Sequence, residues 1–362
     1  MKEEEEFNVI YMEQEMLKRK SVYIVYTGGT IGMKKNSRGI FEPESGYLES
    51  LMAENPLFRN RELPLYTINE YTPLLDSSNM KPENWMSIAS DIKEHYDSYD
   101  GFVVLHGTDT MAYTASALPF MLQGLNKPVI VTGSQVPLCE VRNDAVGNLV
   151  TSLMIAGGDH PITEVVLCFG SKILRGCRTM KVHGESFEAF DSPNFPALGS
   201  VGVDIKINSG LMRKKSEAQK EKLEVMPIGE PIVAALRLFP GISARVLENI
   251  LRPPLKGLVL EAYGTGNGPD RDAQVMEVIR AATSRGVVIV DCTQCLTGTV
   301  NLSLYKAGSV LSEAGVISGF DMTSEAALAK MYYLFSRYGT PEEVICEMQK
   351  NLFGELTPPS TV

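Results

Sequence analysis

The chain has 362 residues, 44% hydrophobic and 22% charged, a globular make-up that is long enough for two domains and needs no covalent staples. A net charge of −10 argues against the basic face of a nucleic-acid binder. The six scattered cysteines form no disulfide framework, no apolar run reaches the ~18 residues of a membrane span, and the acidic opening (Glu3, Glu4, Glu5, Glu6) has the wrong sign for a secretory or mitochondrial leader, so the expected compartment is the cytosol.

Residues 1–20 are a charged extension in which Phe7, Ile10, Met16 and Leu17 form a weak apolar face. From residue 21, short β-branched runs alternate with helical periodicity, the pattern of parallel strands joined by crossover helices. Strands are predicted at 22–26, 102–105, 129–132 and 165–169, each running into a glycine turn, and helices at 82–96 and 110–122. Residues 206–223 hold Arg213, Lys214, Lys215, Lys220 and Lys222 with few apolar residues, which reads as an exposed linker. Beyond it, strands are predicted at 232–236, 258–261 and 287–290, and helices at 243–251, 273–285, 325–335 and 341–352. The expected architecture is α/β, with a larger N-terminal catalytic domain (21–205) and a smaller C-terminal domain (224–362), each a mostly parallel sheet flanked by helices.

Ligands of open parallel sheets bind beyond the carboxyl ends of the strands. Two such ends are polar and glycine-bounded: Tyr26-Thr27-Gly28-Gly29-Thr30-Ile31-Gly32 and His106-Gly107-Thr108-Asp109-Thr110. Glycine lets backbone approach a small ligand and leaves N–H groups free to face developing negative charge, and each turn sets a threonine hydroxyl beside those donors. Neither turn is a phosphate loop or a dinucleotide fingerprint, and no G-x-S-x-G elbow supports a serine-hydrolase triad. A hydroxyl nucleophile needs a base or proton relay; Lys181 follows a strand and could supply one. Taken singly, Asp109 reads as a helix N-cap, His106 as a satisfied interior histidine, Lys181 as a solvated lysine, and the Cys292/Cys295 pair as reduced thiols. The pairing of two such turns in one domain is what points to a site.

With these motifs in view, the chain resembles the asparaginase/glutaminase family. Besides the two turns, Leu75-Asp76-Ser77-Ser78-Asn79-Met80, Val131-Thr132-Gly133-Ser134-Gln135, the run from Arg175 to Lys181, Pro240-Gly241-Ile242, the run from Tyr263 to Pro269, and Thr293-Gln294-Cys295 match in order over nearly the whole chain. The run Asp321-Met322-Thr323-Ser324-Glu325-Ala326-Ala327-Leu328-Ala329-Lys330 is similar to the cytosolic type I branch, including its animal members. The resemblance implies hydrolysis of L-asparagine, with no cofactor or metal, by a homodimer or homotetramer whose sites are shared between subunits. Nucleic-acid and membrane partners are not expected. Thr30 matches the threonine that forms the acyl-enzyme. Thr108, Asp109 and Lys181 match a Thr–Asp–Lys constellation that moves protons beside the scissile amide, Asp109 also holding the substrate ammonium. Asp76, Ser77 and Ser78 match the segment that grips the α-amino and α-carboxylate groups, and Gly107 lies against the substrate.

Two departures from the family pattern stand out. Many bacterial members carry a tyrosine on the loop after the first motif, where this chain has Arg38-Gly39-Ile40-Phe41; animal members use a tyrosine matching Tyr305, brought in from a neighbouring subunit. At the regulatory asparagine site of bacterial members, Met180 and Glu261 replace a threonine and an arginine, while Cys295 remains, so effector control is not expected. Some animal members bear a lysophospholipase label, for which no apolar lipid site is legible here. Two other readings are a related ammonia-supplying amidotransferase subunit, disfavoured by an extension too short for its N-terminal barrel, and a silent ligand sensor, disfavoured by the presence of Thr30, Thr108 and Lys181.

Overall fold

The computed structural model describes residues 19–213, 222–229 and 232–358. The weak apolar face at Phe7, Ile10, Met16 and Leu17 lies outside these residues, as do Lys214, Lys215 and Lys220.

The larger sheet is built from β1 (Ser21–Gly28), β2 (Leu65–Leu75), β3 (Gly101–Leu105), β4 (Val129–Thr132), β5 (Val165–Phe169), β6 (Lys172–Arg175), β7 (Gly199–Val201) and β8 (Ile205–Ile207). Its order is β8-β7-β6-β5-β4-β3-β1-β2. The five strands from β2 to β5 pair in parallel, and β6, β7 and β8 add an antiparallel edge. β1 is flanked by β2 and β3 and buried on both faces: Val22, Ile24 and Tyr26 face one core, Tyr23 and Val25 the other. Burial on both faces is why its sequence is a continuous apolar run rather than an alternating one.

Helices α1 (Pro82–Glu94), α2 (Met111–Met121) and α3 (Ala145–Gly157) cover this sheet. Nearly every side chain of α2 is buried, because α2 is also the surface against which the smaller domain packs. That domain has a four-stranded parallel sheet in sequential order: β9 (Val233–Arg237), β10 (Gly257–Ala262), β11 (Val288–Thr293) and β12 (Ile317–Ser318). Its helices are α4 (Ala244–Ile250), α5 (Ala273–Ser284), α6 (Lys306–Glu313), α7 (Ser324–Arg337) and α8 (Pro341–Met348).

The expected exposed linker needs one correction. Residues 206–213 belong to the larger domain: β8 extends the sheet to Ile207, a short 3₁₀ turn Ser209–Leu211 follows, and the Arg213 N–H donates to buried Glu164 at 3.0 Å. Charge density alone misses this, because the alternation of Ile205 and Ile207 around Lys206 is that of a half-buried edge strand.

One core position carries a cost. Asp291 on β11 is fully buried, and neither carboxylate oxygen finds a hydrogen-bond partner among the described residues. Burial, outweighing the nearby Ala262 backbone, lifts its pKa to about 8. The unfolded chain releases this proton near the ordinary value of 3.8. The folded chain therefore binds the extra proton between about pH 4 and 8, and this residue's contribution declines as pH rises through that window. We expect Asp291→Asn to raise stability relative to wild type at pH 8 and to lose most of that advantage by pH 5. The difference should reach up to several kcal/mol, since each tenfold change in proton affinity on folding is worth about 1.4 kcal/mol. Calorimetric melting at the two pH values checks this; an equal gap at both would show that Asp291 does not titrate in this range.

Candidate active site

The site begins with close backbone approaches. β1 ends in Gly28 and Gly29, at φ 130° and 93°, conformations that side chains resist. Sterics reinforce the choice. A Cβ on Gly28 would strike the Leu75 carbonyl, one on Gly29 would lie 2.5 Å from Gly107 N, and one on Gly107 would lie 2.5 Å from Ser77 Oγ. The two threonine turns and the 75–78 segment are thus held in direct contact at the carboxyl ends of β1, β3 and β2. Thr27, buried, ties two of these ends together by donating to the Leu105 carbonyl at 2.9 Å.

On this platform Thr30 opens a 3₁₀ turn, half-buried. Thr108 is buried and is the centre of a network. The Lys181 ammonium donates to Thr108 Oγ1 at 2.9 Å and to Asp109 Oδ1 at 2.7 Å. The Thr108 hydroxyl donates in turn to Gln135 Oε1 at 3.2 Å. Lys181 is 19% exposed and Asp109 67%, so the lysine is shielded while the carboxylate projects outward, where a ligand cation could reach it. The solvated lysine expected from Lys181 read alone is therefore corrected: strand 180–181 pairs with Phe190–Asp191 and aims the side chain inward.

Asp76 is exposed and caps the turn Ser77–Asn79, accepting from Ser78 N and Ser78 Oγ, each at 2.9 Å. Ser77 is buried, and its carbonyl accepts from Thr110 Oγ1 at 2.7 Å, which locks the turn to the segment that starts α2. His106 is fully buried, and burial holds its pKa down at about 4. Its Nδ1 meets the Gly107 carbonyl at 2.7 Å, so Nδ1 carries the proton and Nε2 accepts from Thr114 at 2.8 Å. It is a neutral strut, as the interior-histidine reading expects.

The reading of single residues missed the support behind Thr108. Gln135 Nε2 donates to the carbonyls of Gly184 and Ser186. Asp144 accepts from the backbone N–H groups of Gln135 and Val136, and Asn148 donates to the Gly133 carbonyl at 2.9 Å. The available signal was a pair of polar residues four apart at the start of an apolar helical run. Among the described residues no group of three or more His, Cys, Asp or Glu could hold a metal ion.

Residues 21–213 match the family described as Asparaginase, N-terminal, and residues 232–347 match the Glutaminase/Asparaginase C-terminal domain. The chain belongs to the asparaginase family. It is 49% identical to L-asparaginase 1 of Escherichia coli strain K12, over 94% of this chain and 99% of that protein. It is 46% identical to the 60 kDa lysophospholipase of Homo sapiens, over 93% of this chain and 61% of that protein. The solved structure of L-asparaginase I from Vibrio cholerae, 47% identical, superposes with a TM-score of 0.85 over 94% of this chain and 99% of that one.

Within this asparaginase-family framework, the loop after the first motif is a hairpin pairing Met33–Lys35 with Phe41–Pro43. Ile40, at its far end, is 59% exposed and has no hydroxyl to offer. Tyr305 lies just before α6 in the smaller domain and is 56% exposed. Among the described residues only its carbonyl is engaged, by Ser309. The single chain therefore brings together Thr30, Asp76, Ser77, Ser78, Gly107, Thr108, Asp109 and Lys181, and leaves Tyr305 outside the network around Thr108.

Proposed function

We propose that this chain is an L-asparagine amidohydrolase that works through a threonine-bound acyl-enzyme. The observation that carries the reading is the Lys181–Thr108–Asp109 network lying one glycine contact away from the Thr30 turn. Thr30 Oγ attacks the side-chain amide carbon, and the oxyanion faces backbone N–H groups of the two turns. The carbon–nitrogen bond breaks as ammonia leaves with a proton relayed through Thr108 and Lys181. Water then hydrolyses the aspartyl ester and returns the proton to Thr30. Asp109 offers an anionic oxygen to the substrate ammonium, and the Asp76–Ser78 turn offers hydroxyls and a carboxylate to the α-substituents. Ammonia release from purified protein given asparagine tests this directly. Release absent with asparagine would overturn it.

The polar lining of this site favours an amino-acid substrate over a lipid. No described helix is long and apolar enough to cross a membrane, and all six cysteines are free; a cytosolic enzyme is consistent with both. A homo-oligomer is proposed because Tyr305, beside exposed Leu304, offers an aromatic face and a hydroxyl that its own chain does not use among the described residues. Tyr305→Phe should lower kcat by roughly 10- to 1,000-fold, the range of one catalytic hydrogen bond or proton transfer. Mixing inactive Thr30→Ala subunits with Tyr305→Phe subunits should restore activity in dimers that regain one intact site. No recovery after proven subunit exchange would mean that sites are not shared.

A further inference from the structure

Lys181 arrives from outside the strand ends of β1, β2 and β3, on the short strand Met180–Lys181. The residues just before it are gripped from the opposite side of the chain. Gly176–Arg178 form a 3₁₀ turn that is wholly buried. Arg178 Nε donates to the Gly354 carbonyl at 2.7 Å, and Arg178 Nη2 to Thr357 Oγ1 at 3.0 Å. Nη1 lies 2.9 Å from Asp321 Oδ2, an ion pair by distance that is not aligned as a hydrogen bond. The Cys177 thiol points to the Phe353 carbonyl at 3.7 Å. Gly354, at φ 92°, presses on Arg175, whose guanidinium would sit 2.8 Å from a Cβ there. Arg175 is itself paired with buried Glu164 at 2.7 Å.

The 350–358 segment that supplies these partners is an internal strap, and its own anchor is a fully buried ion pair. Lys330 on α7 and Glu355 are both 0% exposed and 2.6 Å apart. Lys330 also donates to the carbonyls of Met348 and Lys350, while Glu355 accepts from the N–H groups of Leu352 and Phe353. Every charge is met, as a buried pair requires. The strap is joined to the smaller domain once more, through Thr357 N–H to Asp321 Oδ1 at 2.7 Å.

We infer that this strap is a positioning device for Lys181, and that Arg178, Thr357 and the Lys330–Glu355 pair are positioning residues that act through it. Arg178 stands three residues before Lys181 on a buried turn held to the strap by two hydrogen bonds, so displacement of the strap is transmitted along a short segment to the ammonium that must meet Thr108. A tolerance of about 1 Å is enough to matter at a reacting centre. The mechanical coupling stands on geometry alone; its consequence for turnover rests on the proposed asparaginase reaction.

Two conservative variants test it. Arg178→Lys keeps a charge for Asp321 but loses the fork that holds Gly354 and Thr357. Thr357→Val removes one exposed acceptor hydroxyl and keeps the side-chain shape. Amide hydrogen exchange reads the coupling without activity: exchange in residues 176–184 should quicken by about tenfold or more, while β4 stays protected. With asparagine, kcat per titrated active site should fall by roughly 10- to 100-fold with KM changed less than about threefold, the signature of a misplaced catalytic group rather than weaker binding. A loss of titratable sites at unchanged kcat per site would mean the strap merely holds the fold. Unchanged exchange in 176–184 in both variants would overturn the positioning role. A wild-type protein inactive on asparagine, with the exchange change still seen in the two variants, would instead sink the proposed reaction and leave the coupling standing.

Discussion

Thr30→Ala should lower kcat by roughly 10³- to 10⁶-fold, the range seen when a covalent nucleophile is deleted. The next hydroxyl, that of Thr108, already accepts from Lys181 and donates to Gln135; Thr30 takes no part in that network, so its loss leaves every bond of the network in place. The variant should fold with a stability within about 0.5 kcal/mol of wild type, as expected for a half-buried residue outside a bonded cluster. Ammonia release measured against active-site concentration, with mass spectrometry for an aspartyl adduct on the peptide containing residue 30, checks both halves. Retention of a tenth of the wild-type kcat would dismiss Thr30 as nucleophile.

Lys181→Met should follow, with kcat reduced by roughly 10²- to 10⁴-fold, the contribution of a positioned proton carrier. Methionine keeps an unbranched stem in the shielded slot and removes only the ammonium. Asp109, 67% exposed, can turn to water without cost, so folding should survive. The predicted defect is in acyl-enzyme formation, because ammonia must leave with a proton that the threonine hydroxyl alone delivers slowly. Rapid-quench measurement of the acylation step separates this from weakened binding. A variant within about threefold of wild type, far short of a proton-transfer loss, would show that the Lys181–Thr108 contact is structural only.

The strands that place these groups were legible because they are buried on both faces and end in glycine: the run predicted at 22–26 is the heart of β1, and 129–132 and 165–169 coincide with β4 and β5. β2 was not, although it lies beside β1. Its eleven residues include Asn69, Glu70 and Pro73, which argue against a central strand, and β2 is the edge strand where such residues are tolerated. α3 was hidden for another reason. Its buried residues do form one stripe, Ala145, Asn148, Leu149, Ser152, Leu153, Ile155 and Ala156, but polar Asn148 and Ser152 lie on it while apolar Val146, Val150 and Met154 lie off it, so hydropathy does not trace the period. At the site, Thr30, Thr108 and Asp109 announce themselves through their glycine neighbours, and the family resemblance adds Lys181 and the Asp76–Ser78 turn. Gln135, whose side chain bridges Thr108 to the Gly184 and Ser186 carbonyls, and Asp144, which holds the Gln135 and Val136 N–H groups, have roles that only the folded contacts reveal. The strap escaped because its partners are 176 to 179 residues apart in sequence.

That separation has a meaning for how the protein is made. Ribosomes deliver chains from the amino end, and every network residue from Thr30 to Lys181 has emerged well before Gly354 and Thr357 exist. A nascent larger domain can pair its strands and bring Thr30 near Thr108, yet the turn before Lys181 stays unclamped until the final stretch of the described chain has left the exit tunnel. Contacts this distant in sequence form slowly, so on the positioning role inferred for the strap, Lys181 is the last of the network to be set. On the same reading, amide-hydrolysing power is completed late in biosynthesis, once Glu355 sits against Lys330.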